Sequence, residues 1–282
     1  MKILKSAYFW TSLLLLPLVL VGCSKLFVDF DSDFISDEYV ARETVQLDNL
    51  TVSYLRSGDP LGQRVIFVHG TPGEAGSNWY DQLKNVPNGY EYIAIDRPGF
   101  GRTLPKKEVT SLDAQAAAIA PLLKSGNGKG SILVGHSLGG PVVAAAAINY
   151  PDQVKGIVIA AGALDPDLED VLFIQHVGDT PPFSWLLAST LKNSNRELIA
   201  LEGELRVLQP RLKEIDQPIV IVHGTKDELV PYANVSYMQR ELTGTQQLDI
   251  ITIDGMNHFL QWRAKEELQA GIDRITAYPT GQ

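Results

Sequence analysis

Short apolar segments alternate along this chain with longer segments of helical character, and this alternation restricts the possible folds more than any other feature. The predicted strands are 50–56, 65–68, 90–95, 131–134, 156–160, 219–222 and 248–253. The predicted helices are 112–123, 138–149, 235–242 and 265–277. Several strands are continuously apolar, as expected of strands covered on both faces. The pattern predicts an α/β domain in which helices flank a mostly parallel central sheet.

One interval departs from this alternation. Residues 163–211 separate two predicted strands that a simple crossover would join with far fewer residues. The interval contains apolar, helix-prone pieces at 171–174 and 183–187. We therefore expect a helical cap, at about 163–211, inserted into the α/β domain.

The N-terminus has the layout of an export signal. Two lysines within residues 1–5 precede an apolar run at 7–21, which is shorter than the roughly 20 residues of a membrane-spanning helix. Cys23 follows this run and is the only cysteine, so no disulfide can form within the chain. Residues 1–22 are predicted to be a signal peptide. An uncleaved anchor, or a plain signal followed by an incidental cysteine, is the alternative.

Residues 20–23, Leu-Val-Gly-Cys, resemble the lipobox of bacterial lipoproteins. The resemblance implies that Cys23 carries lipid, including palmitate, and anchors the protein in the bacterial cell envelope. Ser24 favours the outer membrane, facing the periplasm, because an aspartate there would signal retention at the inner membrane. Residues 23–43 are rich in acidic residues, which favours an extended, solvated tether.

Length and charge limit the remaining possibilities. Residues 44–282 have a length suited to one large domain. The formal net charge of -9 repels a phosphate backbone, so no nucleic-acid partner is expected. The sequence does not indicate an oligomeric state.

A serine flanked by glycines follows the predicted strand 131–134. Residues 135–140, Gly-His-Ser-Leu-Gly-Gly, lead from this strand into an alanine-rich helix. A G-x-S-x-G motif in this context predicts a sharp turn that strains the serine and exposes its hydroxyl, while the glycines avoid contacts that a Cβ would make. Ser137 is therefore the predicted nucleophile. A glycine-rich turn that only reverses the chain is the alternative.

A serine hydroxyl requires a base within hydrogen-bond reach and a third group that orients the base. His258 follows the predicted strand 248–253 and a turn, so it lies at the edge where the loops of parallel strands converge. Asp227 follows strand 219–222 at the same edge. We predict His258 as the base and Asp227 as its acid partner, in the chain order serine, acid, histidine.

Other residues are weaker candidates for these two roles. Glu228 and Asp165 remain alternatives for the acid, whereas Asp254 is expected to shape the turn before the histidine. The remaining histidines are expected to have structural or solvent-facing positions: His69 and His223 at strand ends, His136 beside the nucleophile, and His176 in the cap.

The loop after strand 65–68 is predicted to supply backbone donors to a developing oxyanion. It reads His-Gly-Thr-Pro-Gly at 69–73. Proline has no N–H group, so Thr71 is the candidate donor in this loop, and Leu138, after the nucleophile, is the second. An ordinary strand-to-helix loop is the alternative.

The motifs at 69–73, 96–101, 135–140 and 257–259, together with Asp227, resemble those of the α/β-hydrolase superfamily. They cover nearly the whole predicted mature chain. The resemblance implies the α/β-hydrolase fold and a reaction that needs neither a metal nor an organic cofactor. The segment 96–101 is interpreted as mainly structural. A serine nucleophile departs from the epoxide hydrolases and haloalkane dehalogenases, which use aspartate at that position.

The predicted activity is hydrolysis of small carboxylic esters through an acyl-enzyme, as in carboxylesterases of class EC 3.1.1. An amidase or proline-aminopeptidase-like hydrolase is the alternative. An acidic pocket for a substrate amino group would favour it, and the cap offers Glu169, Asp170, Glu202 and Glu204. A catalytically silent scaffold that serves as a binding module is the third reading.

Overall fold

The computed structural model describes residues 40–169 and 173–278. The predicted signal peptide, Cys23 and most of the predicted tether lie outside the described residues. Within the described ranges, no helix combines the length and apolarity needed to cross a bilayer.

The strands form one sheet with mainly parallel pairing. They are β1 Ala41–Leu47, β2 Leu50–Gly58, β3 Gln63–Val68, β4 Tyr90–Ile95, β5 Ser131–His136, β6 Val154–Ala160, β7 Ile219–Gly224 and β8 Leu248–Ile253. Their order is β1-β2-β4-β3-β5-β6-β7-β8. The β1–β2 and β2–β4 pairs are antiparallel, and the remaining pairs are parallel. The predicted α/β architecture is confirmed.

Helices connect and cover the strands. They are α1 Ala75–Lys84, α2 Leu112–Ile119, α3 Gly139–Asn149, α4 Phe173–Asp179, α5 Phe183–Leu186, α6 Ser189–Leu208, α7 Ala233–Glu241, α8 Leu260–Arg263 and α9 Lys265–Ala277. Short 3₁₀ turns lie at Ala120–Leu122, Pro151–Gln153, Pro166–Leu168 and Gln209–Glu214.

Alternate residues of each central strand pack into two apolar layers, one on each face of the sheet. In β3, Ile66 and Val68 join the layer beneath α2 and α3, whereas Val65 and Phe67 join the layer beneath α1 and α9. All four side chains are fully buried. Successive side chains of a strand point to opposite faces, so a continuously apolar strand is what a sheet covered on both faces requires.

Besides the short 3₁₀ turns, strand β1 and helices α1 and α8 were not predicted. The edge strand β1 begins at Ala41, so the last three residues of the segment predicted as tether lie in the sheet. None of its side chains is fully buried, so the strand does not require apolar residues and its sequence contains no apolar run. Helix α1 reads AGSNWYDQLK, and its low apolar content hides it from a periodicity search.

The interval predicted to hold the cap contains α4, α5 and α6, between β6 and β7. Helix α6 buries Leu201, Leu205 and Leu208 against the core of the domain. Its spacing of buried leucines, every three or four residues, is typical of a helix with one apolar face.

Candidate active site

Ser137 lies on a tight turn between β5 and α3. Its φ angle is 56°, in the left-handed region that is strained for a residue with a Cβ. The turn is held by hydrogen bonds from Ser137 N to Ala160 O (3.0 Å) and from Gly140 N to Ser137 O (2.9 Å). A Cβ added to Gly135 would lie 2.2 Å from Gly139 O, so the turn requires a glycine there. This geometry has the form expected of a nucleophile turn.

Asp227 lies in the loop after β7, and that loop fixes its carboxylate. Oδ1 accepts hydrogen bonds from the backbone N–H groups of Leu229 (3.0 Å) and Val230 (2.8 Å). Oδ2 lies 2.8 Å from His258 Nδ1. A carboxylate only accepts hydrogen bonds, so the proton is on Nδ1 of His258 and Nε2 remains free to act as a base.

A second histidine contacts the same carboxylate. His223 Nε2 lies 3.0 Å from Val230 O and 3.5 Å from Asp227 Oδ2, and the His223 side chain is fully buried. Burial by itself would raise the pKa of Asp227, but the hydrogen bonds from His223 and His258 outweigh burial and hold this pKa far below its ordinary value. Asp227 is therefore an anion wherever the protein is folded near neutral pH.

The loop that carries His258 follows β8 and is attached to the serine turn. His136 Nε2 donates to the backbone carbonyl of His258 over 2.9 Å. Burial, followed by the nearby His258, lowers the pKa of His136 to about 3. A neutral His136 thus connects the two loops without adding a charge beside the base.

Ser137 and His258 line the same cavity. In the described part of the chain, no hydrogen bond joins the Ser137 hydroxyl to His258, whereas the His258–Asp227 bond is formed. Hydrogen bonds between a nucleophile and its base commonly tighten only when substrate binds. Both side chains border one cavity, which is what transfer of a proton from the hydroxyl to the imidazole would require.

Thr71 and Leu138 border the same cavity beside the serine. Among the described residues, neither backbone N–H group donates a hydrogen bond to the protein. The buried hydroxyl of Thr71 also has no hydrogen-bond partner there. Donors left unpaired beside a nucleophile can serve an oxyanion.

The cavity has a volume of about 1400 Å³. The cap contributes the apolar side chains of Leu191, Leu198 and Leu201, and the loop after β6 contributes Leu168. Its exposed rim carries three large apolar side chains: Leu229, Phe259 and Trp262. Acidic residues also reach the wall, namely Glu74, Asp81, Glu169 and Glu228.

The weaker acid candidates lie elsewhere or differ in environment. Asp165 accepts from Asp167 N (3.0 Å) at the start of a 3₁₀ turn. Asp254 accepts from Thr225 Oγ1 (2.9 Å) and links two loops. Glu228 is exposed at the cavity wall. Asp227 is thus the carboxylate that the structure brings to His258.

The acidic cap residues separate into different environments. Glu169 lines the cavity. Glu202 pairs with Arg206 on the exposed face of α6, and Glu204 accepts from Leu112 N (3.0 Å). Asp170 lies outside the described residues. His176, also in the cap, is exposed as expected.

Three supporting residues were not assigned to the site from the sequence. His136 donates a hydrogen bond to the carbonyl of His258, and His223 lies 3.5 Å from the Asp227 carboxylate. Arg97 donates to the carbonyl groups of the loop before Thr71. His223 lies four residues before Asp227, so its closeness to the carboxylate could have been inferred from the local sequence. The contact between His136 and His258 spans 122 residues and leaves no local sequence signal.

The described residues contain no group of three or more His, Cys, Asp or Glu side chains arranged to hold a metal ion.

Comparison with known proteins agrees with this fold. Residues 63–190 match the sequence profile of the α/β-hydrolase fold family. A non-heme chloroperoxidase of Streptomyces lividans is 29% identical over 253 residues, which cover 75% of this chain and 90% of that protein. The acetyltransferase component of an acetoin cleaving system of Cupriavidus necator is 30% identical over 125 residues, covering 44% of this chain and only 33% of that protein.

A crystal structure of a membrane phospholipase A superposes with a TM-score of 0.63 and 20% identity, covering 98% of each chain. At that identity the likeness concerns the fold. Together with the profile match over residues 63–190, it shows that the chain has the α/β-hydrolase fold.

Proposed function

We propose that this protein is a serine hydrolase that cleaves carboxylic esters through an acyl-enzyme, a carboxylesterase of class EC 3.1.1. The observation that carries the proposal is the 2.8 Å bond between His258 Nδ1 and Asp227 Oδ2 beside the strained Ser137. Ser137 is the nucleophile, His258 the base and Asp227 the group that fixes the tautomer of the base.

In the first half of the reaction, Ser137 Oγ attacks the ester carbonyl carbon and its proton passes to His258 Nε2. The negative oxygen that develops accepts hydrogen bonds from the N–H groups of Thr71 and Leu138. The bond to the leaving alcohol then breaks, and His258 returns the proton to the alcohol oxygen. Asp227 stabilises the imidazolium that exists between these steps.

In the second half, water attacks the acyl-enzyme. His258 takes a proton from the water, and the same two N–H groups hold the second oxyanion. The carboxylic acid leaves when the bond to Ser137 Oγ breaks and the hydroxyl regains its proton. The cycle uses only groups supplied by the protein and one water molecule.

The lining of the cavity supports an acyl substrate with apolar character. Leucines of α6 cover the interior, and Leu229, Phe259 and Trp262 surround the opening. Burial of a hydrocarbon chain against such surfaces contributes about 25 cal/mol per Å² of apolar area. Acetate and short acyl esters are the minimal substrates, and longer chains occupy the leucine-lined part.

A second candidate is an amidase or aminopeptidase. Glu169 and Glu228 favour it because both line the cavity and offer carboxylates to a substrate ammonium group. The ester reading is preferred because the apolar groups lie on both the cap side and the rim.

Labelling with a fluorophosphonate probe tests the nucleophile. The wild type should be labelled and Ser137→Ala should not, whereas Ser77→Ala, a serine of the same cavity outside the strained turn, should react like the wild type. Equal labelling of Ser137→Ala would refute the nucleophile. If no variant is labelled and no substrate is hydrolysed, the chain is a silent scaffold that binds ligands.

A substrate panel separates the two hydrolase readings. We expect turnover of p-nitrophenyl esters to exceed turnover of aminoacyl p-nitroanilides at equal concentration. Hydrolysis of the amides alone, with loss in Glu169→Gln or Glu228→Gln, would replace the esterase by the aminopeptidase.

The sequence also leads us to propose a lipid on Cys23 and an outer-membrane location facing the periplasm. Processing should be blocked by globomycin, and labelled palmitate should be incorporated in the wild type but not in Cys23→Ser. Ser24→Asp should shift the protein to the inner-membrane fraction. Palmitate incorporation equal in Cys23→Ser and the wild type would rule out this attachment.

A further inference from the structure

Arg97 connects the loop of Thr71 to the cap. It follows β4 and is 1% exposed. Its Nε donates to His69 O (2.9 Å) and its Nη2 donates to Gly70 O (2.9 Å). These are the two carbonyl groups that directly precede Thr71, so the guanidinium sets the direction in which the chain enters the proposed oxyanion site.

His69 reinforces this arrangement. The backbone N–H of Arg97 donates to His69 Nε2 (3.1 Å), so the imidazole proton must be on Nδ1, which donates to Gly70 O (2.7 Å). Burial, and then the charge of Arg97, hold the pKa of His69 well below its ordinary value. The Gly70 carbonyl therefore accepts from a neutral imidazole and from the guanidinium together.

The partner of Arg97 comes from the cap. Glu197 on α6 accepts from Arg97 Nη1 (2.6 Å) and Nη2 (3.1 Å) and is 2% exposed. Gln115 accepts from Nη1 (2.5 Å) and donates to Glu197 Oε1 (3.0 Å). A paired, two-point contact of this kind fixes the plane of a guanidinium. The cap helix thus supplies the counter-charge that holds Arg97 in place.

The loop held by Arg97 has little freedom relative to the nucleophile. A Cβ added to Gly70 would lie 2.7 Å from Ser137 Cβ and 3.3 Å from Ser137 Oγ. The backbone of the loop is therefore packed against the serine. Displacement of an oxyanion donor by a fraction of its hydrogen-bond length is enough to weaken it, because such donors act only in a narrow geometry.

We propose that Glu197 and Arg97 form a positioning pair through which the cap helix α6 sets the oxyanion loop for catalysis. The proposal rests on the serine-hydrolase function proposed above and adds that the cap takes part in the geometry of the reacting carbonyl. Neither residue touches the substrate. Both act through the carbonyl groups of His69 and Gly70 on the N–H group of Thr71.

Replacement of Glu197 by glutamine tests the pair in the full chain. Glu197→Gln keeps the volume and one acceptor but removes the charge that orients Arg97. We expect kcat for p-nitrophenyl acetate to fall about tenfold to a hundredfold, less than loss of a whole oxyanion donor, while KM stays within about threefold. Glu202→Gln, on the exposed face of the same helix, should retain the wild-type kcat.

A second variant separates positioning from stability, because an unpaired buried arginine can unfold the protein. Replacement of both members by apolar residues, Arg97→Met with Glu197→Met, often preserves stability but removes both guanidinium hydrogen bonds to the loop. We expect a Tm close to the wild type, a similar loss of kcat, and slower fluorophosphonate labelling of Ser137. Wild-type kcat and labelling rate in this folded double variant would overturn the proposal.

The outcomes also distinguish this proposal from the proposed function. Wild-type protein that is labelled at Ser137 and hydrolyses esters, with unchanged kcat in both variants, rejects only the positioning pair. Wild-type protein that is not labelled at Ser137 rejects the serine-hydrolase function itself.

Discussion

The edge of the sheet and the cap build the same cavity by different means. Ser137, Asp227 and His258 each follow a strand, and β5, β6, β7 and β8 are neighbours held in register by backbone hydrogen bonds. The described residues of the cap contribute no strand to the sheet. Helix α6 is attached by side chains, through buried leucines, the Arg97–Glu197 pair and a hydrogen bond from Asn193 to Gly99 O (2.9 Å).

The positions of the residues around the cavity are therefore determined in two ways, by strand pairing at the sheet edge and by side-chain packing in the cap. At the sheet edge, the paired strands fix the backbone position of each functional residue. A substitution that moved this backbone would therefore disturb the proposed catalytic groups. In the cap, only the residues that touch the core are fixed, and the remaining surface can change without moving the proposed catalytic groups. Loops and insertions on a rigid scaffold commonly carry the variable part of function.

The largest expected effect is at the sheet edge. Asp227→Asn places an amide where the carboxylate accepts from His258, so the imidazole adopts the wrong tautomer and kcat should fall by about 10⁴, as seen for the equivalent change in serine proteases. Steady-state kinetics with p-nitrophenyl acetate would measure it. Glu228→Gln, the exposed neighbour, is the control and should change kcat less than threefold. Retention of more than a tenth of wild-type kcat in Asp227→Asn would contradict the proposed role.

The packing of the cap against the core should contribute to the free energy of unfolding. Leu205, on the buried face of α6, is 1% exposed, whereas Val207 on the same helix is 62% exposed. Leu205→Ala should lower the free energy of unfolding by about 2–5 kcal/mol, and Val207→Ala should change it by less than about 0.5 kcal/mol. Urea unfolding measures both. Equal effects would mean that the cap does not depend on this buried face.

Acid should destabilise the fold through the buried histidines of the core. The folded protein lowers the pKa of His136 to about 3 and that of His69 well below normal, so the unfolded chain binds more protons below pH 6.5. Stability is therefore complete above pH 6.5 and decreases as the pH falls. His136 should remove about 1–2 kcal/mol between pH 6.5 and pH 5, and His69 should act in the same direction.

Urea unfolding at these two pH values tests this slope. His136→Gln should reduce the difference in the free energy of unfolding between the two pH values. Asp227 contributes little in this window, because its pKa is depressed and its stabilising effect is lost only at lower pH. An identical slope in His136→Gln and the wild type would contradict the assignment of a neutral His136.

The smallest expected effect concerns selection of the acyl chain. Leu191→Ala removes apolar surface from the cap side of the cavity. The ratio of kcat/KM for p-nitrophenyl octanoate to kcat/KM for p-nitrophenyl acetate should therefore fall about fivefold, which corresponds to about 1 kcal/mol. Trp185, on the cap but 76% exposed, provides the control, and Trp185→Ala should keep the wild-type ratio. An unchanged ratio in Leu191→Ala would place the acyl chain elsewhere.

Much of the fold is readable from the sequence because the central strands are buried on both faces. The predicted bounds of β4, β8 and α9 agree with the structure to the residue. The edge strand β1 and helix α1 could not be read in this way. Their side chains are mixed, and pairing with β2 or packing under the sheet decides their conformation more than local pattern does.

For the site, the sequence supplies positions but not contacts. Strand ends place Asp227 and His258 at one edge, so their proximity follows from topology. The hydrogen bonds of the Arg97 side chain to Gly70 and Glu197 join three segments that are distant in the sequence. Such contacts leave no periodic pattern in the sequence from which they could be predicted. The serine turn is an intermediate case, because its glycines mark it locally while its strain depends on Ala160 and Gly140 around it.

The antiparallel pair β1–β2 occupies the border of the sheet opposite β8. A pull on the chain at Val40 that is directed across the strands would open the β1–β2 hydrogen bonds one after another, beginning at the Ala41–Arg56 pair. This opening would not require any hydrogen bond between β5, β6, β7 and β8 to break. Opening of β1 in this way would leave the strands that precede Ser137, Asp227 and His258 paired as they are in the folded domain.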